Sequence, residues 1–322
     1  MKVMKVNVRK KKKKNGIIGL AIGDALGTPF EHVRRAVLDR EPITDMVAGG
    51  THEMGKGVYS DDTALTLATI DSILEKDKIN PNDIGNRFID WLKTGRYTAT
   101  GKTFGVGRVC EEAITNFERG SENAAKCGMN GLYDNGNGSL MRILPLAYYI
   151  HGKNIYDDEE IYNLVRELSS ITHAHEISIM ACYIYVKFAI YLLEQRSIGE
   201  AYNEIQNLDY GYFDEEVVVL FRRIIDQNLG DVPRVDIKST GYVVDTLEAA
   251  LWVFLHSEDY NSSILEAVNL GDDTDTVGAV VGGLLGIYYG MDSIKKEWLD
   301  ALIKKDYIVD MCDRYDKLFY RT

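Results

Sequence analysis

Apolar residues along this chain recur mostly at intervals of three and four, the spacing that lines one face of a helix, and seldom alternate as a half-buried strand requires. The clearest case is Ile84, Phe88, Trp91 and Leu92 at i, i+4, i+7 and i+8, opened by Pro81-Asn82-Asp83 and closed by Gly95. Comparable runs predict helices over 105–119, 139–150, 159–169, 176–195, 215–228, 242–256 and 293–305. The expected fold is all-α, a single compact orthogonal helical bundle. With only five prolines and no Ser/Gly/Pro-rich linker, the chain divides into a basic tail, 1–14, and one domain, 15–322.

Glycine adds a second pattern. Gly19, Gly23 and Gly27 repeat every four residues near the start, and Gly278, Gly282, Gly286 and Gly290 do so near the end. Each glycine inside a helix costs about 1 kcal/mol relative to alanine. A row of them on one face predicts two helices packed unusually close, against each other or against a shared neighbour. Two Gly-rich stretches, 48–57 and 130–138, are expected to be irregular loops around a site.

Composition narrows the function classes. A chain of 322 residues that is 45% hydrophobic can bury a full core, and its net charge of −12 repels nucleic acid and anionic membrane. The run Arg9 to Lys14 is basic, but Asp24 interrupts the apolar stretch behind it, so a solvated tail is expected rather than a signal peptide. The apolar run Val277 to Tyr289 falls short of the roughly 20 residues a membrane span needs. Cys110, Cys127, Cys182 and Cys312 form no CxxC pair. Reduced thiols, a cytoplasmic location and a monomer are expected.

Two acidic clusters carry the candidate chemistry. Tyr59-Ser60-Asp61-Asp62-Thr63 precedes one apolar run, and Gly271-Asp272-Asp273-Thr274-Asp275-Thr276 precedes another. Either cluster alone reads as a helix cap, but a cap needs only one acceptor. Crowded carboxylates resist joint ionisation unless a cation stands among them. Ser60, Asp61, Asp62, Asp273, Asp275 and Thr276 offer six hard oxygen donors, the set preferred by Mg²⁺, Mn²⁺ or Ca²⁺. With waters they suffice for two cations, placing a dinuclear site at helix N-termini. The loop Asn135 to Ser139 is either an anion-binding nest or a plain turn capped by Ser139. His173 and His175 lack the spacing of a zinc site.

Five stretches, GLAIGDALGTPFE (Gly19 to Glu31), YSDDTAL (Tyr59 to Leu65), GNGSLMRILPLA (Gly136 to Ala147), THAH (Thr172 to His175) and GDDTDTVGAVVGGLLG (Gly271 to Gly286), together resemble the ADP-ribosylglycohydrolases. The resemblance implies hydrolysis of the glycosidic bond between ADP-ribose and a protein side chain or small molecule, with two Mg²⁺ (or Mn²⁺) as cofactors. It places the metal ligands on Ser60, Asp61, Asp62, Asp273, Asp275 and Thr276, with serine standing where the family has threonine. It implies catalytic roles for Glu31, on a flap, and Asp62. Substrate binding falls to Gly136, Asn137, Gly138, Ser139 and His173. Asp272 is left as a cap or a support for the ligands, Asp24 as structural, Arg142 as a structural ion pair and His175 as a surface or packing residue.

Tyr97, Phe104, Tyr133 and Tyr212 are unranked candidates for stacking on adenine. One departure matters: the segment 103–109, TFGVGRV, lacks the carboxylate that arginine-directed members carry there. The acceptor therefore stays open among arginine-linked, serine-linked and small-molecule conjugates. Two other readings stand beside this one, a dinuclear-metal nucleotide phosphohydrolase and a non-catalytic ADP-ribose-binding or structural relative.

Overall fold

The computed structural model describes residues 15–319; the basic tail lies outside the described residues. Within them there is no β-strand, only isolated bridges such as Gly136 to Tyr242, and the architecture is helical throughout. The helix expected around Phe88 is Pro81–Thr94. Its cap lies one residue before the Pro-Asn-Asp signal, where the Asn80 side chain accepts from the Asp83 N–H at 3.1 Å. Gly95 ends it at φ 71°, a left-handed conformation that glycine adopts without strain.

Other boundaries moved for identifiable reasons. The segment expected as one helix over 105–119 is helical only from Arg108 to Glu118, because Gly105 sits at φ 68° and Gly107 is extended. The 139–150 segment opens with a 3-10 turn, Leu140–Arg142, before the helix Leu144–Lys153, whose first turn holds Pro145 where no intrahelical N–H is missed. The 215–228 segment breaks into Glu215–Val218, a 3-10 turn Val219–Phe221 and Arg222–Ile225, with Phe221 and Ile224 fully buried. The 293–305 segment stops at Ala301, since the Ile303 N–H is drawn to the Gly57 carbonyl at 2.9 Å, and a further helix, Lys305–Phe319, starts after it. Three more helices escaped the periodicity: the short Arg35–Leu38, Ile198–Gln206, opened by a Ser197/Glu200 capping box, and Tyr260–Val268, capped by Asp259.

The core gathers around Glu176–Leu193, which packs against Leu144–Lys153, Asp158–Ser169, Ile198–Gln206, Val243–Leu255 and Thr274–Tyr289. This helix is long and apolar enough to cross a membrane, but 94% of it is buried inside the fold, as a core helix must be. All four cysteines are buried, and none forms a disulfide among the described residues.

The glycine rows meet face to face. Asn15–Gly27 packs along Thr274–Tyr289 so closely that a Cβ on Gly23 would lie 1.9 Å from the Gly278 carbonyl oxygen, and one on Gly282 would lie 2.3 Å from the Gly19 oxygen. Gly27 abuts Thr274, whose hydroxyl donates to the Gly27 carbonyl at 2.7 Å. Gly290 ends its helix at φ 87°. The contact sets the C-terminal end of one helix, where the Glu31 segment begins, beside the N-terminal end of the other, where Asp273 and Asp275 stand. Gly23→Ala is expected to cost roughly 3 kcal/mol, the upper range for overpacking. Gly199→Ala, at an exposed helical position with open space around it, should stabilise by about 0.5–1 kcal/mol. Denaturant unfolding of the two variants checks both signs.

Candidate metal centre and substrate cleft

The start of the Asp61–Lys76 helix is fixed from outside itself. Asp24, fully buried, accepts from the Ser60 N–H at 2.8 Å and the Thr63 N–H at 3.0 Å, and from the hydroxyls of Thr63 at 2.6 Å and Thr28 at 3.0 Å. It thereby does the work of a helix cap across two elements. Its structural role follows, as does the freedom of the neighbouring acids. Asp61 and Asp62 are spared for the cleft.

That cleft, about 230 Å³, is lined by Glu31, Asp61, Asp62, Asp273, Asp275 and Thr276 together with backbone from Gly105, Gly136, Gly138 and Gly241. Oxygens of Glu31, Asp273 and Asp275 lie within 4.8 Å of one another, near enough to share one ion. Asp62 Oδ2 accepts from the Ser60 hydroxyl at 2.9 Å, whereas its Oδ1 is buried with no hydrogen-bond partner among the described residues. Burial first, then the neighbouring acids, pushes Asp61, Asp62 and Asp275 well above the usual carboxylate range. An unpartnered oxygen among mutually repelling carboxylates is what a divalent cation relieves. The donor set therefore fits a hard metal ion.

Ser60 does not line the cleft; its hydroxyl is turned to Asp62 and also accepts from the Asp62 N–H. Ser139 departs from expectation more clearly. It is fully buried, makes no side-chain cap, and accepts from the Ser169 hydroxyl at 2.9 Å, so it stands behind the loop rather than in it. Gly136 and Gly138 do face the cleft, and a Cβ on Gly138 would come within 2.8 Å of both Cys110 Sγ and the His173 ring. Asn137 lines the cleft too, but its amide donates to Asp273 Oδ2 at 2.7 Å and to Thr246 Oγ1 at 2.9 Å. It orients a carboxylate of the cluster.

His173 is buried at the cleft wall, and burial together with the Arg142 charge pushes its pKa down to about 3. The ring is neutral at physiological pH. Thr172 Oγ1, which accepts from Arg142 at 2.8 Å, is bonded to His173 Nδ1 at 2.9 Å, and Nε2 is the ring nitrogen that faces the backbone of Gly136 and Gly138. Arg142 was expected to form an ion pair and forms none among the described residues; it is fully buried, bonded to Thr172 and the Leu168 carbonyl, and lies over the Phe88 ring at 4.8 Å. His175 is the N-cap of Glu176–Leu193, accepting from the Ile177 N–H.

Asp272 makes no side-chain cap either, since Asp273 occupies the N-cap position. At φ 59° its backbone donates to Val33 and accepts from His32, tying the acidic loop to the segment after Glu31. Sequence reasoning missed His52, whose Nε2 pairs with the Glu31 carboxylate, and Arg108, which lines the cleft while bonded to Asp134 at 2.7 Å. Neither belongs to a motif. His52 falls in the Gly-rich loop 48–57, the one signal available for it.

A helical fold with a carboxylate-walled cleft at two helix N-termini is built to suit metal-dependent chemistry. The chain belongs to the ADP-ribosylglycohydrolase family, whose signature matches residues 6–322. An ADP-ribosylarginine hydrolase Tri1 of Pseudomonas putida (strain GB-1) is 31% identical over 92% of this chain and 75% of its own length. The Tri1 of Serratia proteamaculans (strain 568) is 29% identical over 96% of this chain and 79% of its own. An ADP-ribosyl-[dinitrogen reductase] glycohydrolase of Rhodospirillum rubrum is 29% identical over 89% of each. A solved structure described as an ADP-ribosylglycohydrolase-related protein complex superposes with a TM-score of 0.80 at 26% identity, covering 97% of this chain and 99% of that one. By family the chain is an ADP-ribosyl hydrolase, acting on glycosidic bonds.

The raised carboxyl pKa values have a stability consequence. Above the ordinary value of 3.8 the folded state of the metal-free protein binds more protons than the unfolded state, so these groups lower stability as pH rises from about 4 through their raised values. Thermal melts from pH 4 to 8 should show that loss in chelator. Mg²⁺ or Mn²⁺ at 100 times its dissociation constant should add about 2.7 kcal/mol.

Proposed function

We propose that this protein frees ADP-ribose from a modified protein side chain, with two Mg²⁺ or Mn²⁺ ions held by Asp61, Asp62, Asp273, Asp275 and Thr276. The observation that carries this reading is the crowding of five carboxylates into one cleft, one of their oxygens buried without a partner. When bound, the ions would supply Lewis acidity and a fixed seat for the ribose hydroxyls. The chain's own groups do the rest. Glu31, at the mouth of the cleft, takes the proton of the attacking water as the water oxygen bonds to C1″ and returns it to the side-chain atom that leaves C1″. The backbone of Gly136 and Gly138 gives a diphosphate a wall free of side chains, and the neutral His173 can donate from Nε2 toward it. Breaking the C1″ bond passes through an oxocarbenium-like state, which the surrounding carboxylates stabilise by charge.

The two relatives named ADP-ribosylarginine hydrolases support an arginine-linked acceptor. Against them stands the segment 103–109, which brings Gly105 backbone rather than a carboxylate to the cleft. Arginine-linked and serine-linked ADP-ribosyl proteins, each incubated with and without Mg²⁺ or Mn²⁺, decide the linkage. Free ADP-ribose is the expected product, and a mononucleotide would instead indicate a phosphohydrolase. Asp61→Asn and Asp275→Asn should each lower turnover by at least about 100-fold while leaving helical content intact by circular dichroism. Normal turnover in both variants would mean that the ions sit elsewhere.

A further inference from the structure

Glu31 sits just past the Thr28–Phe30 turn, between solvent and the acidic cleft, with only 14% of its side chain exposed. On its inner side are Asp273 and Asp275, both negative when ionised. Left to electrostatics alone, this carboxylate would swing outward into water. It is held by His52 Nε2 on Oε2. Because an ionised carboxylate only accepts hydrogen bonds, the proton of this pair is on Nε2. His32 also approaches, at 3.4 Å from Oε1, but its side chain is 74% exposed and its hold is correspondingly weak.

His52 is itself fixed on three sides. Its loop is closed by the Gly49 N–H donating to the Met54 carbonyl at 2.7 Å. The next residue back, Thr51, grips the Glu31 segment twice, through its N–H to the Pro29 carbonyl at 3.0 Å and its hydroxyl to the Glu31 carbonyl at 2.6 Å. Gly50, at φ 71°, allows this approach: a Cβ there would lie 1.8 Å from the Pro29 oxygen. Finally, the His52 ring rests against Phe104, centroids 5.2 Å apart, and Phe104 adjoins the Gly105 that lines the cleft.

We infer that His52 is the positioning residue for Glu31: it holds the carboxylate at the mouth of the cleft, oriented before substrate arrives, an inference that rests on the hydrolase reading above. A latch of this kind acts on the chemical step rather than on substrate affinity. His52→Ala is therefore expected to lower kcat about 10- to 100-fold with KM changed less than about 2-fold, the range typical for residues that orient a functional group. His52→Gln keeps an N–H donor at a similar reach and should restore at least a third of the lost kcat.

A second measurement does not depend on turnover. In chelator, hydrogen exchange at the amides of His32 and Thr51, bonded to the Asp272 and Pro29 carbonyls, should quicken several-fold in His52→Ala and remain near wild type in His52→Gln. Wild-type kcat together with unchanged exchange in His52→Ala would overturn the inference, as would an equal loss of kcat in both variants. If the wild-type protein frees no ADP-ribose from any conjugate, the hydrolase reading fails, and the exchange measurement still decides whether His52 holds the Glu31 segment.

Discussion

Everything at the site depends on one buried carboxylate that does not enter it. Asp24 lies fully inside the protein and accepts four hydrogen bonds, two from backbone N–H groups that open the Asp61–Lys76 helix and two from hydroxyls. Bonds of this charge-assisted kind contribute about 1.5–3 kcal/mol each, enough to offset much of the desolvation of a buried charge. Burial still wins the balance on its acidity, for the Asp24 pKa is raised despite the four donors. What this arrangement achieves is positional: the helix start is pinned to Asn15–Gly27, and its own acids need not cap it.

The glycine seam acts on the same geometry from the other side. Because no Cβ intervenes, Thr274–Tyr289 lies against Asn15–Gly27 with backbone touching backbone, and the two acidic helix starts open into one cleft. The arrangement is unfavourable by itself. Five acids share a small volume, and the ionised forms of Asp61, Asp62, Asp273 and Asp275 are opposed by burial and by neighbouring acids. A protein selected for stability alone would not keep such a cluster, and its persistence beside a costly row of helical glycines marks a functional site.

The sequence made the local chemistry readable wherever a periodic or clustered signal carried it. The four-residue glycine repeat announced the seam, Gly95 announced a helix end, and the paired acidic clusters announced the cleft. What stayed hidden was direction and partner. Nothing local says that Ser139 turns inward to Ser169 or that Asn137 spends its amide on Asp273, because both depend on which helix lies behind the loop. The break after Ala301 was hidden for the same reason, since the Gly57 carbonyl that draws Ile303 out of the helix lies far away in the chain. His52 carried no periodicity at all, and only the fold of a Gly-rich loop brings it to Glu31.

Rigid and irregular elements divide the cleft between them. The inner wall, Asp61, Asp62, Asp273 and Asp275, stands at helix starts fixed by Asp24 and by the glycine seam, so its spacing is set by the core. The outer wall comes mostly from loops: Glu31 on the segment tied to Thr51 and Asp272, and Gly105 and Gly107 on the segment before Arg108–Glu118, with Arg108 opening that helix. Gly105, at φ 68°, sets bare backbone near Asp61, where a Cβ would lie 3.5 Å from Oδ1. A carboxylate projecting from this segment would add a sixth negative group to the five already there. Arg108 supplies a cation at the rim instead, itself balanced by Glu112 and Asp134. The four inner carboxylates thus stand on the most constrained part of the fold, while most of the outer wall is carried by loops, where sequence can change without disturbing the core.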